Sequence, residues 1–96
     1  MANDGIIIVV ANIDTKEKKL LGNPNITTRG FVLVNENEEL LRSLENVSKK
    51  AILSMLDKPI NYTEIKSEII NQLASYTYKK TGRKPIVLPV IMDIKR

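Results

Sequence analysis

The side chains best suited to chemistry are the carboxylates Glu36, Glu38, Glu39, Glu45, Asp57, Glu64 and Glu68. A paired-acid mechanism needs two carboxyl groups facing one cleft, with their pKa values pushed apart. These acids instead fall among helix caps and polar helix faces, where capping and solvation account for them. Asp93 stands apart, inside an apolar stretch, and suits a structural ion pair with Arg29 or Lys95. The chain has no His and no Cys. That removes the commonest general base, the commonest zinc ligand and any disulfide framework. Ser43, Ser48, Ser54, Ser67 and Ser75 therefore lack a His to activate them, and none lies in a Gly-x-Ser-x-Gly turn. The glycines stand apart, so no loop cradles a phosphate.

The cations give a second chemistry to weigh. The 96 residues carry a net charge of +4, and much of the excess comes late, in Lys79, Lys80, Arg83, Lys84, Lys95 and Arg96. A basic run can contact a phosphate backbone, which makes Lys79, Lys80, Arg83, Lys84 and the separate Arg29 the candidate RNA contacts. The same run closes a helix, where cations offset the dipole. Aromatic residues are few, so the dipole explanation is preferred.

Around these side chains the apolar pattern sets out the elements. The closing stretch Pro85 to Ile94 is rich in β-branched residues and reads as a strand. It is apolar on both faces: Ile86, Leu88, Val90 and Met92 share one, and Val87, Pro89 and Ile91 the other. Pro89 has no N–H for a ladder, which places this strand at a sheet edge or at a bulge. Gly5 to Ile13 is a first strand, also apolar on both faces. Asp14 to Lys18 is a polar turn, and Lys19-Leu20-Leu21 returns as a short second strand. Gly22-Asn23-Pro24-Asn25 reads as a break. Ile26 to Val34 reads as a third strand, with Gly30 as a bulge or close approach.

The period then changes. Asn35 or Asn37 caps a helix, with Glu38 completing a capping box for Asn35. Leu40, Leu44, Val47, Ala51 and Met55 recur at helical spacing; Lys58 falls in the last turn and Pro59 stops it. Asn61 and Glu64 form a second capping box. Tyr62, Ile65, Ile69, Leu73 and Tyr76 give a second amphipathic helix, which Gly82 ends. The expected fold is a single α+β domain of two layers, in the order βββ-αα-β. A small mixed or antiparallel sheet carries an antiparallel helix pair on one face.

Two segments then resemble a known family. Asn25-Ile26-Thr27-Thr28-Arg29-Gly30-Phe31-Val32 resembles the Ser/Thr-Arg-Gly-Phe-Val/Ile segment in the C-terminal domain of bacterial ribonuclease J. Tyr78 to Asp93, with Lys84-Pro85-Ile86-Val87-Leu88-Pro89-Val90-Ile91-Met92-Asp93 at its end, is similar to the Lys-Arg-Arg-Pro-x-Ile-Leu-Pro-Val-Ile-Met-Glu-Val ending of those enzymes. The opening Asp4 to Val10, with Ile13-Asp14, also looks like the start of that domain. Thr28 replaces the common Ser, Gly82 enters the basic turn, Asp93 replaces Glu, and Lys95-Arg96 are extra.

The resemblance implies a metallo-β-lactamase-type ribonuclease of messenger decay and ribosomal RNA maturation, cutting RNA internally and from its 5′ end. The zinc-binding His-x-His-x-Asp-His motif of that family lies in the large N-terminal part and has no counterpart here. No catalytic or metal residue is carried over, and no cofactor is expected in this chain. The resemblance also implies a C-terminal domain associated with subunit assembly.

Two helices side by side cover one sheet face, yet the strands are apolar on both. The uncovered face is therefore expected to be an interaction site for a second copy or for the catalytic domains. Val87, Pro89 and Ile91 are taken as the outward residues, because Asp93 shares their parity. The longest apolar run, Ile6 to Ala11, is far too short to span a bilayer. A soluble cytoplasmic protein with no membrane partner is expected.

Overall fold

The computed structural model describes residues 5–29 and 38–94. The elements are β1 (Ile6–Asp14), β2 (Lys19–Arg29), α1 (Glu38–Leu56), α2 (Tyr62–Thr81) and β3 (Ile86–Asp93). The sheet order is β2-β1-β3, with β1 antiparallel to β2 and parallel to β3. The architecture is α+β with a mixed sheet.

The β1–β2 hairpin follows from Asp14. Its buried carboxylate accepts hydrogen bonds from the backbone N–H groups of Lys16 (3.0 Å) and Glu17 (3.1 Å). This Asx turn bends the chain back, and Lys18 closes the loop in the left-handed region at φ 56°. The Lys19–Glu17 ion pair at 3.3 Å is exposed at both ends and adds little.

One difference from the sequence pattern lies in β2. The two expected strands are a single strand of 11 residues. Lys19, Leu20 and Leu21 pair with Asp14, Ile13 and Asn12, and Asn25 to Arg29 pair with Val10 back to Ile6. Between them the register shifts, so residues 22–24 stand opposite Ala11 alone. Gly22, at φ 72°, supplies the left-handed residue that such a bulge uses. Pro24 is buried within it, where the ladder is already interrupted. The turn-rich composition thus marks a bulge, because both flanks pair with the same neighbour. Gly30 to Val34, Asn35 and Asn37 lie outside the described residues.

The helix pair explains the parallel strand. A chain that leaves one end of a sheet, runs up one helix and down the next returns to the end it left. Accordingly β3 starts beside the start of β1, with Ile86 paired to Ile6 and its N–H donating to Gly5 O at 2.9 Å. The antiparallel pair is joined by residues 57–61. Helix α1 ends at Leu56, so Lys58 lies beyond the last turn; its N–H reaches Met55 O at 3.4 Å. Asn61 caps α2 by accepting from Glu64 N–H at 3.2 Å, and Gly82 closes it in the left-handed conformation at φ 72°. Helix α1 packs over β2 and α2 over β3.

The core lies between these layers. From β1 come Ile7, Val9, Ala11 and Ile13; from α1, Leu44, Ala51, Ile52 and Leu56; from α2, Ile65, Ile69 and Leu73. Val47, Met55 and Tyr76 pack against it, as their spacing predicts. Tyr62 does not: it is 39% exposed. Two hydroxyls enter the core with partners on the preceding turn. Ser48 Oγ donates to Leu44 O (2.9 Å) and Thr77 Oγ1 to Leu73 O (2.8 Å), so neither leaves a buried group unpaired.

The parity of β3 is the reverse of the expectation. Val87 is 7% exposed, and Ile91 packs against the core. Val87, Pro89 and Ile91 face the helices. The parallel register sets Val87 beside Ile7 and Ile91 beside Ala11, whose side chains point into the core. Val87→Lys therefore buries an unpaired ammonium and is expected to destabilise the fold by about 3 kcal/mol or more. Leu88→Lys, on the exposed face, should stay within about 1 kcal/mol of the parent. Urea unfolding followed by circular dichroism measures both.

Candidate functional site

The site is the sheet face turned away from the helices. The register brings Ile6, Ile8 and Val10 of β1 beside Ile86, Leu88 and Val90 of β3, with Met92 beside Asn12. The β1 residues are half-buried by their neighbours. The β3 row is open: Ile86 is 53% exposed, Leu88 44% and Met92 47%. An isolated exposed Leu is ordinary, but a contiguous two-strand strip of large apolar side chains is not.

Helix coverage explains the asymmetry. Both helices lie on the other face, and none of the described elements crosses this one. Its third strand is different in kind. Opposite Ile6, Ile8 and Val10, β2 presents Arg29, Thr27 and Asn25, all exposed. Leu21 lies opposite Asn12, and Lys19 opposite Asp14. The face is thus an apolar strip on β1 and β3, bordered by a polar and cationic strand. The sequence pattern named the face but chose the wrong row, Val87, Pro89 and Ile91; the signal for the exposed row lies only in the pairing partner of each β3 residue.

The candidate RNA contacts gather at one end of the sheet. The end of α2 feeds the start of β3, which brings Lys79, Lys80, Arg83 and Lys84 to the end where Ile6, Ile86 and Arg29 form one row. Arg29 is two strand spacings from Ile86, about 10 Å. Two of these cations rest on aromatic rings. Lys80 Nζ lies 5.9 Å from the Tyr76 ring centre, and Lys84 Nζ lies 5.1 Å from that of Tyr78. Tyr78 itself is exposed.

The opposite end carries a polar cluster that spacing alone does not reveal. Thr15 Oγ1, in the hairpin loop, donates to Asp93 Oδ1 at 3.0 Å. Asp93 thus meets Thr15 and not Arg29, which lies at the far end of the sheet; Lys95 is outside the described residues. The Tyr62 hydroxyl joins them. Its pKa is raised above 10.0 by partial desolvation, then by the negative charge of Asp93 and the hydrogen bond to it, while Thr15 acts the other way. The cluster ties the hairpin loop, the end of β3 and the start of α2 together.

Among the described residues there is no group of three or more His, Cys, Asp or Glu side chains placed to hold a metal ion. Among them also no helix is long and apolar enough to cross a membrane.

Comparison with known proteins identifies the chain's relatives. The profile of the ribonuclease J C-terminal domain matches residues 1–94. Ribonuclease J 2 of Staphylococcus epidermidis is 38% identical over 95 residues, which is 98% of this chain and 17% of that protein. Ribonuclease J 2 of Staphylococcus aureus is 37% identical over the same share of each. This chain belongs to the ribonuclease J C-terminal domain family, and it spans 17% of the length of these curated relatives.

The Asp93 cluster makes a titration prediction. The fold holds the Tyr62 proton more tightly than the unfolded chain does. The associated stability is complete below the unfolded value of 10.0 and is lost as pH rises through the folded one. Asp93→Asn removes the charge and should move the Tyr62 titration down towards 10.0. Tyrosinate absorbance, in a background carrying Tyr76→Phe and Tyr78→Phe, reads the shift.

Proposed function

We propose that this chain is a non-catalytic assembly domain of a cytoplasmic ribonuclease of the J type, acting in RNA processing and messenger decay. One observation carries the reading: the helices cover one sheet face, and the other exposes a continuous apolar strip on β1 and β3. Burying such a strip contributes about 25 cal/mol per Å² of apolar area, a driving force for association that the isolated fold leaves unused. Family membership supplies the enzyme class. The relatives' names speak of a ribonuclease, and in this reading cleavage belongs to the part of such a protein outside the stretch matched here. The absence of His from the sequence fits a domain without the zinc-binding motif of the resemblance.

Sedimentation velocity over a wide concentration range tests the assembly role. The parent chain should show concentration-dependent association. Leu88→Lys with Val90→Lys should abolish it while leaving the far-ultraviolet spectrum unchanged. A parent chain that stays monomeric to about millimolar concentration, where even a weak complex of about −4 kcal/mol forms, would sink the proposal.

A second reading, an RNA contact that helps present substrate, is favoured by the gathering of Lys79, Lys80, Arg83, Lys84 and Arg29 at one end of the sheet, beside exposed Tyr78. If three or four of these cations meet phosphates, single-stranded RNA should bind with a log–log salt slope of about −2 to −3. Lys79→Ala with Lys80→Ala should flatten it by about 1.4. No binding at low salt rules this reading out.

A further inference from the structure

The last turn of α2 and the loop behind it are held more firmly than an exposed basic run requires. Gly82 N–H donates to Tyr78 O at 2.8 Å, and its left-handed conformation at φ 72° turns the chain back along the helix. Thr81 Oγ1 donates to Thr77 O at 2.7 Å and accepts from Arg83 N–H at 3.1 Å. Pro85, on the far side of Lys84, is buried. Lys84 is thereby pinned between two fixed neighbours, and its Nζ stands 5.1 Å from the centre of the Tyr78 ring. A cation fixed in the free protein costs less to use in a complex.

The ring itself is left open. Tyr78 is 52% exposed. Its neighbours one turn away on the helix surface are Ala74, Ser75, Thr81 and Gly82, all too small to cover it. Tyr76 packs against the core, so burial accounts for that tyrosine and not for Tyr78.

Charge around the ring is largely of one sign. From Ile69 to Met92 the sequence has Lys79, Lys80, Arg83 and Lys84 and no Asp or Glu. Glu68 lies about 15 Å before Tyr78 along the helix. Exposed Glu39, at the start of α1, comes to the same end across the helix pair and offsets one of these charges. An acidic peptide would meet the cations and leave the ring face bare. A duplex would offer phosphates but keep its bases stacked on one another. An unpaired nucleotide presents a π-face and a phosphate together.

Resting on the RNA-contact reading above, we infer that Tyr78 is a stacking platform for one unpaired base of single-stranded RNA. Lys84 is held against the other face of the ring, and Lys79 and Lys80 serve the flanking phosphates. Every base has a π-face, so the platform is tolerant of sequence and selective for unpaired RNA. A single ring and a few cations make a short footprint, and the contact is weak by itself.

The chain has no Trp, so in a background of Tyr62→Phe and Tyr76→Phe the emission of Tyr78 reports on its own ring. An oligouridylate of about eight nucleotides should quench it. RNA duplex of the same length, inorganic polyphosphate and polyglutamate should not. Tyr78→Leu should weaken binding of labelled oligouridylate about tenfold, read by fluorescence anisotropy at fixed salt, while Tyr78→Phe, which keeps a ring, should stay within about twofold. Neither should change the salt slope, because the ring meets no phosphate. Oligouridylate that binds without quenching, and equally well to Tyr78→Leu, overturns the platform and leaves the phosphate-contact reading standing. Quenching by polyphosphate or polyglutamate as strong as by oligouridylate overturns the assignment to an unpaired base. No binding of oligouridylate at low salt removes the RNA-contact reading and this inference together.

Discussion

The parallel pairing of β3 with β1 is the constraint on which the rest of the structure depends. It joins the two ends of the chain and closes the sheet on the side away from the hairpin. It also sets which residues of β3 are inside. Because β1 sends Ile7, Val9, Ala11 and Ile13 into the core, the in-phase register sends Val87 and Ile91 in with them. A slip of one residue would exchange every side chain of β3 between core and solvent. The register is held at both ends, by the Ile86–Gly5 and Ile94–Ile13 backbone bonds, and at the far end also by the Thr15–Asp93 hydrogen bond.

Among the described residues, two helices and three strands leave an imbalance between the two sheet faces. An antiparallel helix pair has the width to cover one face of a small sheet. The other face must be polar, covered by a partner, or left as exposed apolar surface. Here it is divided. Strand β2 is polar there, while β1 and β3 are apolar, so the imbalance is concentrated on two strands.

The two ends of the sheet differ in character. One collects cations around the end of α2, with Lys80 and Lys84 resting on tyrosine rings. Their place at a helix C-terminus is favourable on dipole grounds whatever else they touch. The other end is a hydrogen-bonded cluster around the Asp93 carboxylate. Among the described residues, neither end holds a group of three or more His, Cys, Asp or Glu side chains that could bind a metal ion.

Much was legible in the sequence because it depends on local rules. The caps at Asn61 and Gly82, the Asp14 turn, the amphipathic rows of both helices and the restriction of the Pro89 strand to an edge or a bulge each follow from a few adjacent residues. So did the surplus of apolar residues over the one face that two helices can cover. Tertiary structure alone decided the rest. Gly22-Asn23-Pro24-Asn25 carries the same local signals whether it ends a strand or bulges within one. The choice is made by β1, which pairs with both flanks. Tyr62 has core spacing but begins its helix, where the sheet ends and Asp93 waits. The outward row of β3 was undecidable from a strand apolar on both faces. Parity is a relation to a neighbour, and only the pairing of Val87 with Ile7 supplies it.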